Sequence, residues 1–142
     1  MVRRRLFERL IVILIALSFQ TWALGPVEAW AQTSAQTVRL IIDYGDGSLK
    51  LYADIPWQSG QTVLEAMKVA QTRVTGLDFT DTGGGATAFL AAIDGVRNQG
   101  GGAGKRNWQY WVNTAYADKS FAIQTLQALD TVTWQFGFYQ GK

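Results

Sequence analysis

Two runs in the C-terminal part of the chain alternate large apolar with polar residues: Trp108-Gln109-Tyr110-Trp111-Val112-Asn113 and Leu129-Asp130-Thr131-Val132-Thr133-Trp134-Gln135-Phe136. A period of two marks a strand half-buried in a sheet, because successive side chains leave the backbone on opposite faces. In the second run Val132, Trp134, Phe136 and Phe138 share one face, opposite Thr131, Thr133 and Gln135, which makes Trp134 a core residue. In the first run Trp108, Tyr110 and Val112 share a face, and Gln109, Trp111 and Asn113 share the other. With the first set turned inward, Trp111 is expected on the solvent side between two amide side chains. A tryptophan so flanked can stack a flat or ring-bearing ligand while the amides hydrogen-bond it. The other account is that a loop or helix covers Trp111 as a second small cluster. Trp57, just after Pro56, and Tyr116, just after the Asn113 turn, are further candidate contacts.

The rest of the chain supplies a sheet with one helix. Val38, Leu40, Ile42 and Tyr44 alternate as a first strand, and Gly45-Asp46-Gly47 supplies the residues of a tight hairpin. Leu49, Leu51, Ala53 and Ile55 read as the apolar face of a second strand, with Lys50, Tyr52 and Asp54 opposite, ending at Pro56. Thr62-x-x-Glu65 is a capping box, in which hydroxyl and carboxylate satisfy free amides at a helix start. Val63, Leu64, Met67 and Ala70 form the expected buried stripe, and Gly76 follows the helix. Leu77 and Phe79 start a short strand, Gly83-Gly84-Gly85 is a loop, and Phe89, Ala91 and Ile93 mark another strand closing at Asp94-Gly95. Asn98 to Asn107 is expected as a long mobile loop. The predicted class is α+β, a mostly antiparallel mixed sheet with one helix packed across one face.

The first 31 residues read as an export address. Arg3, Arg4, Arg5 and Arg9 form a basic start, Leu10 to Leu17 is apolar throughout, and Ala29-Trp30-Ala31 fits the small-x-small cleavage site between Ala31 and Gln32. Ser18, Gln20 and Thr21 break the apolar run short of the roughly 17–25 residues a membrane span needs. The organisation expected is therefore a signal peptide over 1–31, a flexible lead-in over 32–37 and one domain over 38–142. The product is exported, as a periplasmic, cell-surface or secreted protein, and meets the membrane only through the signal peptide before cleavage. Arg4-Arg5 also leaves the twin-arginine route open beside the general one.

Charge and residue types narrow the function. Of 13 Lys and Arg, four lie in the leader, and of 11 Asp and Glu, Glu8 and Glu28 do, which leaves 9 against 9. A domain so balanced lacks the basic face that nucleic acid demands. The chain has no His and no Cys, so the usual general base, thiol nucleophile and transition-metal ligands are missing. Asp78 and Asp81 could do acid–base work, but they sit where aspartate ordinarily caps backbone amides. Gly104-Lys105-Arg106 fails as a phosphate loop, which needs Ser or Thr after the lysine; Lys105 and Arg106 could still touch an anionic ligand. Asp43-Tyr44-Gly45-Asp46-Gly47 fits a hairpin turn better than a calcium loop, whose alternate positions must carry oxygen ligands. No catalytic residue and no metal is expected. The partner is a small molecule or an envelope protein.

The spacing Trp-x-Tyr-Trp-Val-Asn from Trp108, then Asp-x-Val-x-Trp from Asp130, resembles a family of unknown function similar to the C-terminal domain of transcobalamin and intrinsic factor. Asp43, Thr62-Val63-Leu64, the glycine loop before Phe89 and Ile93-Asp94-Gly95 extend the resemblance over about Val38 to Phe136. It implies a β-grasp-like fold with the first and last strands parallel, and a ligand-binding surface at Trp111, Gln109, Asn113, Tyr116 and Trp57 rather than an active site. It also implies cobalamin or another corrinoid as a candidate ligand, with no cofactor. In those carriers the domain closes over cobalamin held against a helical barrel. This sequence contains no such barrel and no histidine for the cobalt, so the resemblance speaks for binding more than for cobalamin itself. Two positions depart from the family: Thr114 stands where Gly usually follows the asparagine, and Leu129 where Gly usually precedes the aspartate.

Overall fold

The computed structural model describes residues 35–139. The expected leader over 1–31, with its cleavage residues Ala29 and Ala31, lies outside the described residues. Among the described residues no helix is long and apolar enough to cross a membrane.

Two strands open the fold, β1 (Thr37–Asp43) and β2 (Leu49–Pro56), followed by a helix, α1 (Val63–Gln71). Then come β3 (Phe79–Thr82), β4 (Phe89–Ile93), β5 (Val96–Arg97), β6 (Arg106–Val112), β7 (Ala115–Tyr116) and β8 (Thr131–Phe138). Five strands form one mixed sheet in the order β2-β1-β8-β6-β7, and β3-β4-β5 form a small antiparallel sheet. β1 and β8 pair in parallel at the centre of the large sheet, Leu40 opposite Val132 and Ile42 opposite Trp134; all other pairs are antiparallel.

One face of the large sheet is the core. Val38, Leu40 and Ile42 of β1, Trp108 and Tyr110 of β6, and Val132, Trp134 and Phe136 of β8 are buried in a single cluster with Val63, Ala66, Met67 and Ala70 of α1. Phe79, Leu90 and Ile93 of the small sheet join the same cluster. The capping box forms as expected: Thr62 N donates to Glu65 Oε2 at 2.7 Å and Glu65 N to Thr62 Oγ1 at 3.3 Å. The next two amides of the helix start are satisfied from the segment between β7 and β8, Val63 N by Gln124 O and Leu64 N by Phe121 O, each at 3.0 Å. That ties the loop carrying Phe121 to the helix.

Several expectations are corrected. The inward face of β2 is Tyr52 and Ile55, whereas Leu49 and Leu51 are 65% and 60% exposed. The cause is a bulge: Val38 pairs with Ile55 but Leu40 with Tyr52, so β2 carries one residue more than β1 and its alternation changes phase. In α1, Ala66 is fully buried while Leu64 only packs at the margin of the core. Phe89 and Phe138 are exposed at strand ends, and β4 instead buries Leu90, Ala92 and Ile93. The glycine-rich loop is pinned at its base: Gln99 Oε1 accepts from Arg106 N at 2.9 Å, and the Asn107 amide exchanges two bonds with Gly100. Asn98 bridges strands, donating from Nδ2 to Leu90 O and accepting from Trp108 N at 2.7 Å.

Candidate functional site

Trp111 lies on β6, paired with Thr133 of β8 and Tyr116 of β7, on the face of the sheet opposite the core. Across the five strands this outer row reads Leu51, Ile41, Thr133, Trp111 and Tyr116. The Trp111 and Tyr116 rings meet edge-to-face with centroids 5.5 Å apart, and Tyr116 meets Tyr139 in the same way at 6.4 Å. Trp111 and Tyr116 are half-buried and Tyr139 is exposed, so the three rings form a partly solvated aromatic row at the β7 edge.

The amides beside Trp111 differ from the expectation. Gln109 is only 7% exposed, and its Nε2 donates to Gly137 O at 3.3 Å and Phe138 O at 3.0 Å. Asn113 is exposed but engaged: its Oδ1 accepts from Thr131 N and its Nδ2 donates to Asp130 Oδ1, both at 3.0 Å. With φ +57° it is the left-handed residue of the turn between β6 and β7, a conformation asparagine tolerates. Both amides are thus committed to the fold. Trp57 is half-buried elsewhere, held by its Nε1 donating to Leu126 O at 2.9 Å.

Beneath Tyr116 the same strands wall a cleft of about 190 Å³ between Ala88–Leu90, Trp108–Tyr110 and Lys119–Phe121. Ser120 Oγ fixes one wall by bonding to Gly85 O at 2.8 Å and Ala88 O at 3.0 Å. Tyr110 fixes another, its hydroxyl donating to Lys119 O at 2.7 Å. Burial, reinforced by Asp118 and Tyr116, raises the Tyr110 phenol well above its ordinary range and keeps it a donor. Trp134 lines the cleft, packed against Tyr110 at 4.7 Å and edge-on to Phe121 at 5.6 Å. Its ring is 3% exposed, and its Nε1 is buried with no hydrogen-bond partner. Alternation correctly predicts Trp134 inside; the cleft depends on contacts between distant segments and leaves no local signal.

Several carboxylates and one arginine are engaged in the fold. Asp43 accepts from Gly45 N and Asp46 from Ser48 within the hairpin turn, and Asp43 also accepts from Gln135 Nε2 across the β1–β8 pair, so both carboxylates are engaged in the fold. Among the described residues no three His, Cys, Asp or Glu converge. Asp94, at φ +46° in the turn after β4, gathers Tyr44 Oη, Lys50 Nζ at 2.8 Å and the Asp78 amide at 3.0 Å. Burial raises this carboxyl, but the bonds from Lys50, Tyr44 and Asp78 outweigh it and hold it below the ordinary value. Asp78 and Asp81 are both exposed. Arg106 lies 4.7 Å over the Phe136 ring and donates to the carbonyls of Tyr44, Gly45 and Phe136, so its guanidinium is turned to the hairpin.

The family described as "Domain of unknown function (DUF4430)" matches residues 60–137, more than half of the chain. The chain belongs to the DUF4430 family. A search of the curated proteins gives no match. The DUF4430 segment runs from just before α1 to Gly137, the penultimate residue of β8, and includes every residue of the cleft, with Gln109, Trp111, Asn113 and Tyr116. The β1–β2 hairpin and Trp57 precede it, and Tyr139 follows it.

Proposed function

We propose that this chain is an exported, non-enzymatic module that binds a ring-bearing small molecule on the outer aromatic row of its large sheet. The observation that carries this reading is the consecutive edge-to-face arrangement of Trp111, Tyr116 and Tyr139 on the face opposite the core. Aromatic rings at a wet surface cost little side-chain entropy to order and present area to a planar or ring ligand. The engagement of Asp43, Asp46, Asp94 and Arg106 in turn and strand bonds speaks against catalysis at those groups, and the chain has no His or Cys to take over. The strand order, with its central parallel pair and one α-helix among the described residues, supports a β-grasp relationship. That relationship keeps the resemblance to the transcobalamin C-terminal domain, and a corrinoid, among the candidate readings. Oligosaccharides are the other ligand class whose rings suit such a row.

Calorimetric titration of the protein with cobalamin, cobinamide and a panel of oligosaccharides tests the reading. One class is expected to bind with saturable heat and to change tryptophan emission. Absence of binding by all of them at millimolar concentration contradicts it.

A second reading is a protein-interaction module of an envelope assembly. It is favoured by Leu49 and Leu51, both well exposed on β2, which is the outer edge strand of the sheet and can accept a further strand. Recovery of one stoichiometric envelope partner that is lost in Leu51→Asp but kept in Trp111→Ala would favour it over the first.

A further inference from the structure

We propose that the groove between the β1–β2 hairpin and the β4–β5 turn binds a small organic carboxylate with an apolar body, its carboxylate held by Arg106 and Lys50. This goes beyond the readings above. The groove shares no residue with the row of Trp111, Tyr116 and Tyr139, and only Leu49 with the β2 edge.

Three observations converge. The first is a cation without a counter-ion. Arg106 is half-buried on β6, lines the groove and forms no ion pair among the described residues. Its Nη2 donates to the carbonyls of Tyr44, Gly45 and Phe136, which hold the side chain in place but do not neutralise its charge. Its Nε and Nη1 take no hydrogen bond among the described residues. Trp134 Nε1 is the only side-chain nitrogen there that is both buried and unpartnered, so Nε and Nη1 of Arg106 remain accessible. A fixed guanidinium with donors in hand suits a carboxylate, because charge-assisted hydrogen bonds are the strong ones.

The second is a further cation on the same wall. Lys50 Nζ lies 2.8 Å from Asp94 Oδ2 with its side chain 39% exposed, and an ammonium keeps donors to spare beyond that bond. The carboxylates lining the groove are engaged. Asp94 accepts from Lys50, Tyr44 Oη and Asp78 N, and Asp46 from Ser48 N at 2.9 Å and Ser48 Oγ at 2.6 Å. Asp46 is exposed on the hairpin, so water screens it more than it screens the half-buried Arg106. The third is space and lining. The groove measures about 520 Å³, within the roughly 300–1,000 Å³ of small-molecule sites, whereas the cleft beneath Tyr116 falls short of it. Tyr44, Leu49, Val96 and Phe136 give it apolar surface for the body of a ligand. A neighbouring groove of about 390 Å³ along Gln135–Phe138 also borders Arg106, but it has no second cation on its wall.

Calorimetric titration of the purified protein with 4-phenylbutyrate and octanoate, each against its primary amide, tests the proposal. The two acids carry a carboxylate on a ring-bearing and on a chain body, and the amides keep the body without the charge. At least one acid is expected to bind saturably by millimolar concentration, with its amide at least about tenfold weaker. Arg106→Gln keeps a donor that can reach the hairpin carbonyls and removes the charge, and should weaken the acid by about tenfold with little effect on the amide. Leu49→Glu leaves both cations in place and adds a carboxylate at an exposed position of the wall; it should weaken the acid by at least about tenfold. Trp111→Ala should bind the acid as the wild type does. Should Arg106→Gln fail to fold, Leu49→Glu and the amide comparison still decide. The proposal is overturned if neither acid binds at millimolar concentration, if the amides bind as tightly as the acids, or if folded Leu49→Glu binds the acid like the wild type. Loss of acid binding in Trp111→Ala would place the ligand on the outer row and equally overturn it.

Discussion

Tyr110 and Trp134 stand directly opposite each other on β6 and β8 with ring centroids 4.7 Å apart, while the next residue along β6, Trp111, turns its ring the other way onto Tyr116. The two tryptophans therefore have different duties, and truncation separates them. Trp134→Ala removes a ring packed between Tyr110 and Phe121 and should destabilise the domain by roughly 3–5 kcal/mol. Trp111→Ala removes a half-buried ring and should cost about 1 kcal/mol. Denaturant melts of the two variants measure both. Equal losses would mean that Trp111 is core.

Leu129 occupies a left-handed backbone conformation, φ +70°, with its side chain 79% exposed. A branched side chain there costs about 1–2 kcal/mol, and burial returns little of it. Leu129→Gly should raise stability by about 0.5–1 kcal/mol after the extra chain entropy of glycine is subtracted. A higher denaturation midpoint with an unchanged slope is the expected result.

How far the sequence revealed this fold is clear from particular residues. The capping box at Thr62 and Glu65, the hairpin glycines, and the inward set Trp108, Tyr110, Val132, Trp134 and Phe136 were all legible, because each depends on a local period or local turn chemistry. β2 was misread because a bulge is a pairing event between strands, and one inserted residue reverses the face of Leu49 and Leu51. Gln109 was misplaced as a free surface amide because its partners, Gly137 and Phe138, are 28 and 29 residues away. The unpaired Trp134 N–H belongs to the same class: alternation shows which way a ring points but not what its nitrogen meets.

Gly45 sits at φ +68° in the β1–β2 hairpin, and a Cβ there would collide with Phe136 O and the Arg106 guanidinium. Gly45→Ala combines backbone strain with displacement of the arginine that holds the hairpin to β8. It should destabilise by about 2–4 kcal/mol in a thermal or denaturant melt.

The Asp94 cluster sets a pH dependence. The carboxyl is held below its ordinary value in the folded protein, so its contribution is complete above the unfolded carboxylate range and is lost as pH falls below about 4. Lys50 is raised by its bond to Asp94, and its contribution is present below the unfolded lysine value and lost as pH rises above about 10. Asp94→Asn keeps a residue that tolerates φ +46° and removes the charge. It should cost about 1–3 kcal/mol at neutral pH, and its deficit should close as the acid limit is approached. Stability curves of the two proteins against pH measure that gap.

The export reading predicts that the mature protein begins at Gln32. Intact-mass analysis of the secreted or periplasmic form decides it. Recovery of the full-length chain in the membrane fraction would contradict it.

The central claim is that the outer aromatic row binds a ring-bearing ligand, and the most direct measurement is a fluorescence titration of the wild-type protein and Trp111→Ala with the ligand class identified by calorimetry. The row predicts saturable quenching in the wild type and an affinity at least about tenfold weaker in Trp111→Ala, with both proteins equally folded. Identical binding curves for the two would contradict it.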